Sequence, residues 1–136
     1  MTAENAKNLF ETNILGHLAT VNEDGSPWST PLHLVTDGDA VYWFSSSSTV
    51  HSANIARSNK VMLSLFAPDT SQGPTGVYVQ GEAEQVSDED RPRIVDLFMK
   101  RTGSFPPGFD GVPAFKVEFG YLNEDKSTRR CWYFYN

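Results

Sequence analysis

The chain has 136 residues, a net charge of −6 and a pI of about 4.9. That length builds one domain, 1–136, with a core of its own. The acidic balance argues against nucleic acid and membrane surfaces as partners, because no surplus of cations exists to release counterions. A single cysteine, Cys131, rules out an internal disulfide, and no apolar run approaches the length of a membrane span.

The opening MTAENAKNLFETN is polar and lacks the apolar core of a signal peptide, so a cytoplasmic location is expected. Ala6, Leu9, Phe10 and Ile14 recur at helical spacing and predict an amphipathic helix over about Ala3 to Leu15, stopped by Gly16. Two turn signals, Asp24-Gly25 and Asp37-Gly38, then separate three strands at His17–Asn22, Trp28–Thr36 and Ala40–Ser45. Tyr42, Trp43 and Phe44 are consecutive. Such a strand is buried on both faces and needs a second layer, which a partner subunit could supply, so a homodimer is expected.

A run of hydroxyls from Ser45 to Thr49 opens a helical turn at His51–Arg57, and a strand at Val61–Phe66 follows. Pro68–Gly76 reads as a loop. Val77–Val86 alternates, with Val77, Val79, Gly81 and Ala83 on one face. A second helix begins near Asp88, with acids and Pro92 in its first turn and a stripe of Ile94, Val95, Leu97 and Phe98. Ser104–Pro113 is a connector. Ala114–Leu122 and Thr128–Tyr135 are the last strands, paired as a hairpin across Asn123–Ser127. Six to seven antiparallel strands with two to three helices make a mainly β, α+β fold, a small barrel decorated by helices.

Four groups of residues bear on chemistry. Ser45-Ser46-Ser47-Ser48-Thr49-Val50-His51-Ser52 places hydroxyls and unsatisfied N–H groups at a helix start, which suits an anion. On composition alone, a serine-rich turn in which Ser48 or Thr49 merely caps the helix is the commoner arrangement. His17, His33 and His51 have no metal-ligand spacing, so no metal is expected. His33 alternates with Leu32 and Leu34 and points to solvent or a cleft. Cys131 lies in an aromatic strand and reads as a buried thiol. The acids Glu82, Glu84, Asp88, Glu89 and Asp90 read as a solvated face and a helix start, without a catalytic pair.

LATVNEDGSPWSTPLHLV, VYWFSSSSTVHSANIARSNKVMLSLF and GVYVQGEAEQV, in that order, resemble the pyridoxamine 5′-phosphate oxidase-like family of FMN-binding split β-barrels. The similarity runs from about Leu15 to Phe98. It implies a split antiparallel barrel and a homodimer with flavin at the subunit interface. By position it places Thr30, Pro31, Leu32 and His33 along the flavin, and Phe44, Ser45 and Ser46 against the ring. Thr49, Ser48, Ser52 and His51 fall on the phosphate, with His51 where the family has a lysine. Trp132 is a candidate to close the pocket, from either subunit, and core packing is its alternative role.

The chain departs from that pattern at three basic positions. Thr30 and Val50 stand where an arginine is usual, and Val35 where a lysine is. The phosphate anchor is therefore short of positive charge, and a histidine is largely neutral at pH 7 unless the dianion raises its pKa. The oxidase also ends in an arginine–leucine motif, whereas this sequence runs to Trp132-Tyr133-Phe134-Tyr135-Asn136, so oxidation of pyridoxamine phosphate itself is not expected. The expected function is a small FMN-dependent oxidoreductase of undefined substrate, the protein orienting a cofactor that carries the redox chemistry. A deazaflavin or a haem in the same cleft is the alternative cofactor. A non-catalytic flavin- or ligand-binding module, or a barrel whose cofactor site has decayed, is the alternative role.

Overall fold

The computed structural model describes residues 3–67, 75–105, 108–118 and 132–135. Helix α1 (Ala3–Thr12) leads into β1 (Leu15–Val21), β2 (Pro27–His33), the two-residue β3 (Val35–Thr36) and β4 (Ala40–Phe44). Then come α2 (Val50–Arg57), β5 (Lys60–Ala67), β6 (Thr75–Glu82), the two-residue β7 (Glu84–Gln85), α3 (Arg91–Thr102), β8 (Ala114–Glu118) and β9 (Trp132–Tyr135). Two antiparallel sheets result: five strands in the order β2-β1-β5-β6-β9, and four in the order β3-β4-β8-β7.

The turn signals act as the sequence predicts. Gly25 and Gly38 take φ of 86° and 94°, values that a Cβ disfavours. The Asp24 carboxylate accepts from the Ser26 N–H, and the Asp37 carboxylate accepts from the N–H groups of Asp39 and Ala40.

Two of the expected strands divide, which raises the count to nine among the described residues. The predicted Trp28–Thr36 breaks at Leu34, whose N–H donates to the Ile14 carbonyl at 2.6 Å. The chain there leaves the edge of one sheet for the edge of the other. Val77–Val86 breaks at Ala83, whose N–H donates to Asn59 O at 2.8 Å. These two crossings give the barrel its split form. Over their described residues the last two strands lie in different sheets, β8 paired with β4 and β7 and β9 with β6; the residues that flank the expected hairpin turn, 119–131, lie outside the described residues. Helix α3 starts at Arg91, with Asp88–Asp90 in a turn before it. Most of the predicted Pro68–Gly76 loop and the Asn123–Ser127 connection lie outside the described residues.

The inner faces of both sheets share one core. Leu18, Leu63, Leu65, Val77 and Val79 meet Val41, Trp43, Phe115 and Val117, and Phe10 of α1 is buried in the same cluster. Trp43 stacks on Phe115 with ring centroids 5.8 Å apart. Gly16 marks a close approach: a Cβ there would stand 2.5 Å from Leu34 Cδ1 and 2.8 Å from the Ser64 carbonyl.

A second core explains the run Tyr42-Trp43-Phe44. Ala40, Tyr42 and Phe44 point to the opposite face of β4 and pack under α3 with Val35, Ile94 and Phe98. The layer that the sequence reading assigned to a partner subunit is therefore supplied at β4 by α3. The uncovered apolar surface lies elsewhere. On the outer face of the larger sheet, Leu15, Val21 and Phe66 are 68%, 40% and 57% exposed.

Candidate functional site

Pairing with β1 decides which way each residue of β2 faces. Thr30 and Leu32 lie opposite Leu18 and Gly16, whereas Pro31 and His33 lie opposite His17 and Leu15. Directly opposed residues share a face, so Thr30 and Leu32 turn toward the barrel, and Pro31 and His33 turn outward. At the end of the strand Pro31, Leu32, His33 and Leu15 meet Phe44, Phe98 and Phe109 around an open cavity of about 230 Å³. Phe44 and Phe98 meet edge to face at 5.4 Å, and His33 stands edge-on to Phe98 at 6.1 Å, the orientations that ring quadrupoles favour.

Phe44 ends β4, and the next residues form the hydroxyl run that opens α2. Thr49 is the N-cap: its Oγ1 accepts from the Ser52 N–H at 3.2 Å and lies 2.8 Å from Ser52 Oγ. Ser46 Oγ and Ser48 Oγ are 2.9 Å apart and exposed. Ser45 and His51 are buried, with His51 Nε2 2.6 Å from Ser45 Oγ. The N–H groups of Val50 and His51, in the first turn, have no partner within the helix.

This end of α2 is rich in hydrogen-bonding groups and poor in charge. Burial pushes the His51 pKa below its ordinary 6.5, so the imidazole is neutral at pH 7. Arg57 sits at the far end of the helix, donating to the Val21 carbonyl and to Asn54 Oδ1 at 2.8 Å each. Val50 is exposed, and Val35 is wholly buried beneath α3. Asn54 holds the helix on the sheet, donating from Nδ2 to Thr20 Oγ1 at 3.0 Å and to Asn22 Oδ1 at 2.9 Å.

The fold thus brings Pro31, Leu32, His33 and Phe44 to one cavity and joins Phe44 through Ser45 to the group Ser46, Ser48, Thr49, His51 and Ser52. Trp132 lies on a different strand from both Pro31–His33 and Phe44. It pairs with Tyr78 on β6, and β9 lies at the edge of the sheet opposite β2. Three strands intervene in the sheet order.

Sequence reasoning missed Phe98, Phe109 and Arg91 as site-forming residues. Arg91 donates from Nε and Nη2 to the Val112 carbonyl at 3.0 and 2.8 Å and from Nη2 to the Phe109 carbonyl at 3.1 Å. Its guanidinium also lies 5.4 Å from the Phe44 ring centroid. It fixes the segment that carries Phe109. The available signal was a pair of aromatics, Phe105 and Phe109, inside an otherwise Pro- and Gly-rich connector.

The family model described as pyridoxamine 5′-phosphate oxidase matches residues 2–123. No match was found among curated proteins. Among solved structures, a conserved hypothetical protein of Mycobacterium tuberculosis is 23% identical, with a TM-score of 0.77 over 98% of this chain and 84% of that one. An F420 reductase is 25% identical, with a TM-score of 0.66 over 82% of this chain and 90% of that one. A FAD-binding protein of Mesorhizobium loti is 17% identical, with a TM-score of 0.68 over 88% and 91%.

Proposed function

Because the chain belongs to the pyridoxamine 5′-phosphate oxidase family, we propose that it is a flavin-binding oxidoreductase, a homodimer that holds FMN between its subunits. The observation that carries this reading is the direct succession of an aromatic-walled cavity at Phe44 and a hydroxyl-rich helix start from Ser45 onward. A ring placed along Thr30–His33 and Phe44–Ser46 leaves its phosphate tail at Ser48, Thr49, His51 and Ser52. The donors there fit an anion through hydroxyls, first-turn N–H groups and the positive end of the helix dipole.

The flavin supplies electron and hydride transfer when bound. The chain binds and orients it: Thr49 and Ser52 form the cap that fixes the tail-binding turn, and Asn54 locks that turn to β1. Pro31, Leu32 and Phe44 offer apolar contact to a ring and exclude water from one side. The exposed Leu15, Val21 and Phe66 supply an apolar face for a second copy. In that assembly Trp132 of the partner subunit is the one that would close the pocket.

One observation favours a second cofactor. Among the described residues the start of α2 carries a neutral imidazole and no lysine or arginine, which compensates one phosphate charge more readily than two. A phosphodiester, as in a deazaflavin of the F420 type, carries one, and FMN's monoester carries up to two. An absorbance titration with FMN, riboflavin and a deazaflavin decides which is bound. Reduction of the bound cofactor by NADH, NADPH or dithionite, and its reoxidation by an added acceptor, separates an enzyme from a carrier. A protein that stays colourless through every titration has no flavin function.

A further inference from the structure

Two arginines in the first turn of α3 are spent differently. Arg93 forms ion pairs with Asp37 and Asp90. Arg91 takes part in no ion pair among the described residues, and its fork closes on main chain instead. Nε and Nη2 donate to the Val112 carbonyl at 3.0 and 2.8 Å, and Nη2 donates to the Phe109 carbonyl at 3.1 Å. Phe109 and Val112 are the first and last residues of a turn, closed by the Val112 N–H donating to the same Phe109 carbonyl at 3.0 Å. Gly111 stands third in it with φ of 78°, in the left-handed range that a type II turn requires there. Arg91 thus ties both ends of the turn to α3.

The turn sits between two fixed points of the site. Phe109 meets Phe105 at 5.9 Å, and Phe105 meets Phe44 edge to face at 5.0 Å. Pro113, directly after the turn, accepts from the Ser45 N–H at 3.1 Å. The Arg91 guanidinium lies 5.4 Å from the Phe44 ring centroid, within cation–π reach. One side chain therefore relates the strand wall of the ring cavity, Phe44, to the connector wall, Phe109. Phe109 belongs to neither a helix nor a strand, so no regular ladder of hydrogen bonds holds it. A wall that is in place only part of the time lowers the apparent affinity of its ligand by that fraction.

We propose that Arg91 is the positioning residue for the ring end of the site: it holds Phe109 in place before a ligand arrives, so that the ring meets a preformed wall. That the ring is a flavin's rests on the reading above, whereas the clamp itself does not. Among the described residues the hydrogen bonds of the Arg91 side chain all go to this turn. It therefore acts on ring affinity and is indifferent to a phosphate tail. Lysine cannot replace it, since an ammonium on a flexible stem lacks the planar fork that meets two carbonyls at once.

The test reads the clamp and the affinity separately. Hydrogen exchange is followed at the Val112 N–H in cofactor-free protein, and riboflavin and FMN are titrated by fluorescence. Arg91→Lys should speed exchange at Val112 and weaken riboflavin and FMN by the same factor, about ten-fold, the scale of the lost hydrogen bonding. Phe109→Ala should weaken both ligands too. Adding Arg91→Lys to it should cost nothing more, because a residue that acts through another is not additive with it. Gly111→Ala strains the same turn without touching Arg91, since nothing lies within 4 Å of the added Cβ. It should give the same pattern, and it replaces Arg91→Lys if that variant does not fold. Unchanged exchange at Val112, unchanged affinity for both ligands, an additive loss in the double variant or a loss confined to FMN would each overturn the proposal. A parent protein that binds neither ligand would end the flavin reading. Exchange at Val112 then decides the clamp alone, and faster exchange in Arg91→Lys upholds it.

Discussion

His51 Nε2 lies 2.6 Å from Ser45 Oγ, and both side chains are buried. The family resemblance puts a phosphate-binding lysine at this position. Here the side chain that replaces it turns inward and bonds the first hydroxyl of the anion-binding run. Its effect on a phosphate therefore passes through Ser45 and the first turn of α2, and it brings no fixed positive charge.

The first prediction concerns that pair. His51→Ala should weaken FMN about five- to ten-fold, the scale of one lost hydrogen bond, and riboflavin by less, because only FMN presents the phosphate. Fluorescence titrations with both ligands measure the difference. Equal weakening would remove His51 from the phosphate end. FMN affinity should also change little between low and high salt, since among the described residues no cation stands at the start of α2 to be screened.

The pH dependence of stability follows from two depressed groups. Burial lowers the pKa of His51 from 6.5. The folded state then favours the neutral imidazole, so its contribution is fully present above pH 6.5 and is lost as pH falls toward the folded value. At Asp37 burial raises the pKa, but the N–H groups of Asp39 and Ala40, the Arg93 guanidinium at 2.9 Å and the Tyr42 hydroxyl outweigh it. The result lies below the ordinary 3.8. Its contribution is present above pH 3.8 and is lost below it. Thermal melts should show a first decline starting near pH 6.5 that His51→Gln removes, and a second in strong acid that Asp37→Asn removes.

Gly16→Ala should destabilise the fold by about 1–3 kcal/mol, the cost of an overpacked core position. The new Cβ would meet the Ser64 carbonyl at 2.8 Å, and backbone cannot step aside as the Leu34 side chain can. Urea unfolding gives the number. A variant as stable as the parent would mean that β1 and β5 are free to separate.

Asn54→Ala should cost about 1–3 kcal/mol, because it leaves the buried Thr20 hydroxyl without its donor and frees α2 from β1. The same change should weaken flavin binding, since α2 carries the phosphate end of the site. Stability lost with flavin affinity unchanged would place the cofactor away from α2.

The order of the elements was legible in the sequence because its signals are local. Asp-Gly turns, the hydroxyl run before α2 and the alternation of Val77 and Val79 each depend on a few neighbouring residues. The crossings at Leu34 and Ala83 were not legible. A strand that changes sheets keeps its β-branched and apolar composition throughout, and only long-range pairing shows the break. The same limit hid the partner of β9, which pairs with a strand more than fifty residues upstream. Pro31–His33 and Phe44 were singled out through the resemblance, and they line one cavity. Phe98 was assigned correctly to a buried stripe, but nothing local reveals that its ring also walls a cavity with His33.

The account stands or falls on whether residues 44–52 and the end of β2 hold a flavin-type cofactor. The direct measurement is gel filtration of the protein mixed with excess FMN or deazaflavin, with absorbance spectra taken across the peak and mass identification of the released molecule. The account predicts a flavin-type spectrum with a shifted band travelling with protein at dimer size, and loss of that spectrum when Thr49 and Ser52 are both changed to Ala. Cofactor that elutes entirely free of the protein at micromolar concentrations, from a chain that is folded by its melting curve, would contradict it.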